Sequence, residues 1–242
     1  MGDRTKLSLT VGFLATFTAL VFVATSVIVV ETPATKGFFN LGETMIYAAA
    51  LLGGYYVGMI AGGLGSSLAD MYLGYPHYAP GTLIIKGLEG FIVGFLALKL
   101  KQLNIKQWRL FTLIAAALAL TLITGLGYSY YRGETHLYFA GMEFTFSIPA
   151  TLWIVLGLLF AIAFVYLGFK VDPNVGGEVI AIIVGGLEMV LGYFIYQVAV
   201  LGYMPSVAAL EIPVNLGQAT IGLLVALPLT RTVKAMGVRT LT

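Results

Sequence analysis

Six apolar runs, each long enough to cross the roughly 30 Å hydrocarbon core of a bilayer, dictate what this chain can become. They lie at about Leu7–Val30, Thr82–Leu100, Arg109–Tyr130, Ile148–Phe169, Val179–Leu201 and Ile212–Leu229. Two shorter runs, Leu41–Leu52 and Tyr55–Leu73, flank Gly53-Gly54, where glycine permits a sharp reversal. With 59% hydrophobic residues, 10% charged residues and a mean hydropathy of +0.95, the chain lacks the charged surface of a soluble domain. The expected fold is an all-α integral membrane protein with eight hydrophobic segments, the second and third being short helices that meet at the glycine pair. Residues 1–242 read as a single membrane domain without long repeats or low-complexity tracts. The first run is long for a signal peptide and no convincing small-residue cleavage site follows it, so it is expected to remain as a membrane helix.

The distribution of charge orients this arrangement. With a cytoplasmic amino terminus, eight crossings place Arg4, Lys6, Lys99, Lys101, Lys106, Arg109, Lys170, Arg231, Lys234 and Arg239 inside, ten of the thirteen basic residues. The positive-inside rule therefore favours a multi-pass protein of the cell membrane with both termini cytoplasmic. Zero cysteines exclude disulfides, iron–sulfur ligation and thiol nucleophiles. The only histidines, His77 and His136, fall in outer loops and are expected to be solvated or interfacial. No metal site and no cofactor are expected, and the absence of a recognisable nucleophile–base arrangement disfavours an enzyme. Lipid, rather than nucleic acid, is the expected surrounding.

Polar residues inside such a sequence are expensive and mark function. The stretch Gly37–Gly90 contains Asn40, Glu43, Asp70, Lys86 and Glu89. Lys86 and Glu89, three apart, share a helical face and can pair, either as a structural ion pair or as a substrate contact, with Asp70 competing for the lysine. Asn215 and Gln218 also share a face, and carboxamides, which both donate and accept, suit a neutral heterocycle; interhelical bonding is the other reading. Glu188, Tyr193, Tyr196 and Gln197 lie on the preceding segment. Tyr75 and Tyr78 lie in the turn-rich loop Gly74–Gly81, where tyrosines also serve as interfacial anchors.

Small residues give two further signals. Ala15 and Ala19, four apart on the first segment, let another helix approach closely, within the protein or from a partner. Gly58, Gly62 and Gly65 make a comparable face on the third segment. A phosphate-binding loop is excluded there because no lysine and threonine follow and the glycines sit within an apolar helix.

The stretch Gly37–Gly90, with Ala15 and Ala19 ahead of it, closely resembles the substrate-binding S-components of energy-coupling factor (ECF) vitamin transporters, in the group that includes riboflavin-type carriers. The resemblance covers about Leu14–Leu100 and resumes over about Gly185–Leu229. It implies a six-helix S-component-like core plus two extra transmembrane segments, an inserted helical hairpin at residues 101–177. The hairpin's aromatic connection, Tyr128–Phe146, is either an interfacial anchor or a lid. The resemblance implies that the loops around Lys36–Glu43 and Gly74–Pro80 line and cover an outer-face cavity, where Phe38 and Phe39 supply flat apolar surfaces and Asn40 a directional hydrogen bond. Substrate contacts are accordingly expected from Phe38, Asn40, Glu43, Tyr75, Tyr78, Lys86, Glu89, Tyr193, Asn215 and Gln218. It further implies docking of Ala15 and Ala19 on an ECF T-component that works with two ATPases, and a vitamin or vitamin precursor as substrate, riboflavin first. The alternative is an autonomous secondary transporter in which Lys86, Glu89, Asp70 and Glu188 relay protons or ions.

Overall fold

The computed structural model describes residues 3–31, 37–100, 104–130, 133–139, 142–170, 175–238 and 240–242. Eight long helices form: α1 (Asp3–Val27), α2 (Gly42–Gly53), α3 (Tyr55–Leu73), α4 (Ala79–Lys99), α5 (Ile105–Tyr130), α6 (Ala150–Lys170), α7 (Gly176–Ala199) and α9 (Ile212–Ala235). A single turn, α8 (Pro205–Ala208), and a 3-10 turn lead into α9. Six stretches are long and apolar enough to cross a membrane: Leu7–Val27, Ala79–Lys99, Ile105–Ser129, Ala150–Lys170, Gly176–Ala199 and Pro205–Ala235. The all-α membrane fold read from the sequence is thus the fold observed.

The short α2 organises the interior. At 1.5 Å per residue its twelve residues reach only about 18 Å, well short of a bilayer. Every residue of α2 except Met45 is buried, and α1, α3, α4 and α9 all pack on it. The α2–α3 elbow turns at Gly54, whose φ of 81° lies in the left-handed region that glycine adopts without a steric penalty. Glycine also sets the α3–α4 spacing. A Cβ on Gly58 would stand 2.6 Å from the Gly90 carbonyl oxygen, and one on Gly62 2.6 Å from that of Lys86. Close helix packing, not phosphate binding, is therefore what this glycine face does.

The Gly54 elbow marks one end of the bundle. Leu241 N–H donates to Leu52 O, Gly177 lies against Leu100, and Lys234 pairs with Glu178. Lys99, Lys170 and Lys234 each lie in the last turn of their helix at this end. Of the other basic residues used to orient the chain, Lys101 and Arg239 lie outside the described residues, as does Lys36 of the first outer loop.

The opposite end carries a feature the sequence reading did not contain, an antiparallel sheet in the order β2-β1-β3-β4. It joins β1 (Ile28–Glu31), β2 (Phe38–Phe39), β3 (Gly133–Phe139) and β4 (Met142–Ile148). The aromatic connection between α5 and α6 is therefore chiefly a β-hairpin, in which Gly133 pairs with Ile148 and Phe139 with Met142. Alternating β-branched and aromatic residues favour this ladder over an irregular loop. Its first strand pairs with β1 through Ile28–Phe139 and Val30–Leu137, tying it to the chain that leaves α1. His136 lies on this hairpin 2.7 Å from Glu143, and His77 is exposed, in keeping with their expected solvated positions.

Candidate ligand pocket

A pocket lined by polar and aromatic side chains opens at the sheet end. It exists because α2 begins deep in the bundle: the chain climbs out along α1, forms β1 and β2, and descends again through Asn40 to Gly42. Phe38 and Asn40 come from that descent, Asp70 and Ser66 from α3, Thr82 and Lys86 from α4, Tyr193 from α7, and Asn215 and Gln218 from α9. Tyr78 and Glu211 stand at the loops before α4 and α9.

The floor is a buried network. Lys86 Nζ donates to Glu43 Oε1 and, at 3.0 Å, to Glu89 Oε2, while Tyr47 OH donates to Glu89 Oε1 at 2.8 Å. Gln218 Nε2 donates to both Glu43 Oε1 and Asn215 Oδ1 at 3.3 Å. Gln218 Oε1 accepts the Asn40 N–H at 2.6 Å, and Asn40 Oδ1 accepts the Gly42 N–H at 2.7 Å. One chain of bonds thus links α4, α2, α9 and the loop that closes the pocket. Such a network fixes the rotamers of groups that would otherwise be costly to bury. Lys86 Nζ also lies 5.6 Å from the centre of the Tyr193 ring, whose hydroxyl is 3.0 Å from Thr82 Oγ1.

The rim is aromatic. Phe38 and Tyr75 stand with ring centres 5.1 Å apart, and Tyr75 OH donates to Glu31 Oε1 at 2.8 Å, fastening the α3–α4 loop to β1. Burial, with the Glu31 carboxylate beside it, holds the Tyr75 phenol well above its ordinary range, so it remains a donor. Tyr196 OH donates to the His77 carbonyl at 2.7 Å, and Gln197 Nε2 to Tyr78 OH at 3.2 Å, fixing the same loop to α7.

Of the ten residues expected to contact substrate, Phe38, Asn40, Tyr78, Lys86, Tyr193, Asn215 and Gln218 line this one pocket. Glu43 and Glu89 stand behind Lys86 as its partners, and Tyr75 stands behind Phe38. Lys86 pairs with Glu43 as well as with Glu89, a partner forty-three residues away that helical spacing alone does not bring forward. Thr25, Ser66, Thr82 and Glu211 also line the pocket and were not among the expected contacts. Asp70 lines it too, though it entered the sequence reading only as a competitor for Lys86 and a relay group. Ala15 and Ala19 are exposed on α1.

Comparison with known proteins agrees with this arrangement. The family described as ECF-type riboflavin transporter, S component, matches residues 7–168, about two thirds of the chain. The matched range runs continuously through α5 and the β3–β4 hairpin, a region the sequence reading treated as an addition, and ends before α7. A protein of Pyrococcus woesei described as an uncharacterized protein in gap 3'region is 49% identical over 75 residues. Those residues are 31% of this chain, and the chain spans about half the length of that relative.

Proposed function

The chain belongs to the ECF-type riboflavin transporter S-component family, and from this premise we propose that it captures a small heterocyclic vitamin or vitamin precursor, riboflavin first, in the pocket beneath β1 and β2. The pocket faces outward and the basic helix ends lie in the cytoplasm. Release inward follows docking on a T-component that works with two ATPases. The observation that carries this reading is the convergence of Asn40, Lys86, Asn215 and Gln218, from four separate segments, on one cavity with an aromatic rim. Carboxamides there both donate to and accept from ring nitrogens and carbonyls, while Phe38 and Tyr193 offer flat apolar faces.

The docking surface is the exposed side of α1, where Val11, Ala15, Ala19 and Val23 lie free of the rest of the bundle. Only 6% of the spanning stretch of α1 is buried, against 50% for α4, so α1 has an open face for a partner helix. The pair α5–α6 is peripheral to a six-helix core of α1–α4, α7 and α9.

Native mass spectrometry and an absorbance spectrum of gently purified protein test the substrate. A retained, unmodified flavin is expected and is visible by its colour. A different heterocycle would keep the capture role and change its cargo. The second reading, autonomous secondary transport, draws on Glu188, whose buried Oε2 has no hydrogen-bond partner among the described residues, together with Lys86, Glu89 and Asp70. Uptake by purified protein in liposomes without any ATPase would establish it in place of the first.

A further inference from the structure

Two walls of the pocket differ in how far the protein satisfies its own polar groups. On the α9 side, Gln218 is bonded to Asn215, Glu43 and Asn40, and the unpaired oxygen there, Glu43 Oε2, belongs to a residue that does not line the cavity. On the α1–α3 side, Thr25 Oγ1, Ser66 Oγ and Asp70 Oδ2 are buried and make no hydrogen bond within the described protein. All three residues line the cavity, and each is at least nine-tenths buried, at 3%, 2% and 4% exposure. Ser66 and Asp70, four apart on α3, share a face, and α1 packs against that helix. Buried polar groups are normally paired, so three unpaired oxygens around one cavity point to a ligand.

The chemistry of these oxygens restricts what they take. An ionised carboxylate only accepts, and each hydroxyl accepts as well as donates. The surrounding charge has the same sense: Glu43, Asp70, Glu89 and Glu211 are buried around the pocket, with Lys86 as the buried cation among the described residues. Lys86 is already engaged by Glu43 and Glu89.

We propose that Thr25, Ser66 and Asp70 form a second subsite, opposite the carboxamide wall, that receives a donor-rich substituent of the ligand, either a run of hydroxyls or a protonated amine. The inference rests on the capture reading above. It divides the pocket by function: Asn215 and Gln218 take a ring with mixed donors and acceptors, and the α1–α3 wall takes the appended donors.

Equilibrium titration of the full, detergent-purified chain with three probes tests this. The probes are riboflavin, lumichrome, which keeps a closely related ring system without the polyol chain, and pyridoxamine, a heterocycle carrying a protonated primary amine. A polyol source predicts that riboflavin binds at least about tenfold tighter than lumichrome, and that Asp70→Asn weakens riboflavin about ten- to a hundredfold while leaving lumichrome unchanged. An amine source predicts tight pyridoxamine binding with the same sensitivity to Asp70→Asn. Thr25→Val and Ser66→Ala are expected to weaken the same probe several-fold. Lumichrome binding as tightly as riboflavin, with pyridoxamine not bound, overturns the subsite on the unaltered protein while leaving capture intact. So does a donor-bearing probe whose affinity ignores all three substitutions. A sodium requirement for binding that Asp70→Asn abolishes overturns it in favour of an ion site. Failure of the unaltered protein to bind any of the three overturns the subsite together with the capture of this ligand class.

Discussion

The α2–α4, α7 and α9 bundle and the α5–α6 pair are both built from strongly apolar sequence, the pair more so, and put it to opposite uses. Half of the spanning stretch of α4 is buried inside the protein, against 17% for α5 and 22% for α6. The bundle buries ions, carboxamides and glycines at backbone-to-backbone distances. The α5–α6 pair buries chiefly the contact between its own two helices, where Trp108 Nε1 donates to the Leu167 carbonyl at 3.2 Å, and presents Leu110, Ile114, Leu118, Leu158 and Ile162 outward. The difference teaches how to separate a working interior from a lipid-facing wall. Lipid tolerates only apolar surface, so polar side chains collect where protein surrounds them. Helix α1 belongs to both worlds: its last turns supply Thr25 to the pocket and its middle exposes Ala15 and Ala19.

The strongest expected effect separates these two roles of α1. Ala15→Trp or Ala19→Trp fills the groove that a partner helix enters, so uptake by cells carrying the complete transporter should be abolished. Ligand binding by the isolated protein should stay nearly intact, because the pocket lies at the far end of the helix. Loss of both together would assign Ala15 and Ala19 to folding, and normal uptake would remove docking on this face.

Next in size is the charge network of the bundle interior. Lys86→Ala leaves Glu43 and Glu89 without their shared cation in a buried site, a change that costs about 3–5 kcal/mol. The melting temperature of the detergent-solubilised protein should fall markedly, with ligand binding lost. Adding Glu43→Gln removes one of the stranded charges and should restore part of that stability. If Lys86→Ala leaves stability and affinity unchanged, the buried network does not hold the pocket together.

A smaller effect is expected from the carboxamide wall. Asn215→Ala removes one hydrogen-bonding group facing the ligand and one acceptor of Gln218, which keeps its bond to Glu43. A neutral hydrogen bond contributes about 0.5–1.5 kcal/mol net, and an unsatisfied partner adds to the loss. Calorimetry should therefore show affinity weakened by several-fold to about a hundredfold. Unchanged affinity would move the ring-binding part of the pocket elsewhere.

What was legible in the sequence follows the same division. Apolar run length located the long helices, because hydrocarbon thickness dictates it whatever the neighbours are. Lys86, Asn215 and Gln218 stood out because such residues are costly in a membrane helix. Thr25 and Ser66 did not, since hydroxyls in helices commonly bond their own backbone, as Ser26 does to Phe22 O and Thr220 to Leu216 O. Glu211 escaped notice because it sits in a connection that reads as an outer loop. The sheet was missed for a different reason: β1 and β2 are four and two residues long, and β1 gains its other partner from a hairpin a hundred residues away.

That sheet makes the final test of the comparison a quantitative one. Strand β3 pairs with β1, β1 pairs with β2, and β2 carries Phe38 onto the rim of the pocket. Deleting about Gln107–Asp172 and joining the ends with a short polar linker removes α5, α6 and the hairpin together. The junction asks little of the chain, because the end of α4 already meets the start of α7: a Cβ on Gly177 would lie 3.2 Å from the Leu100 carbonyl oxygen. An even number of crossings is removed, so the direction of α7 and α9 has no physical reason to invert. The shortened protein should insert and bind, since the floor network from Lys86 to Asn40 uses no residue of the deleted segment. The two β1–β2 pairings would then hold the rim alone, and ligand dissociation should quicken by a few-fold, since each lost cross-strand contact is worth roughly 0.2–1 kcal/mol. Stopped-flow dissociation from the full and shortened proteins measures this. An unchanged off-rate makes the hairpin a bystander to the pocket, and loss of a folded, binding-competent protein places α5 and α6 in the core rather than at its edge.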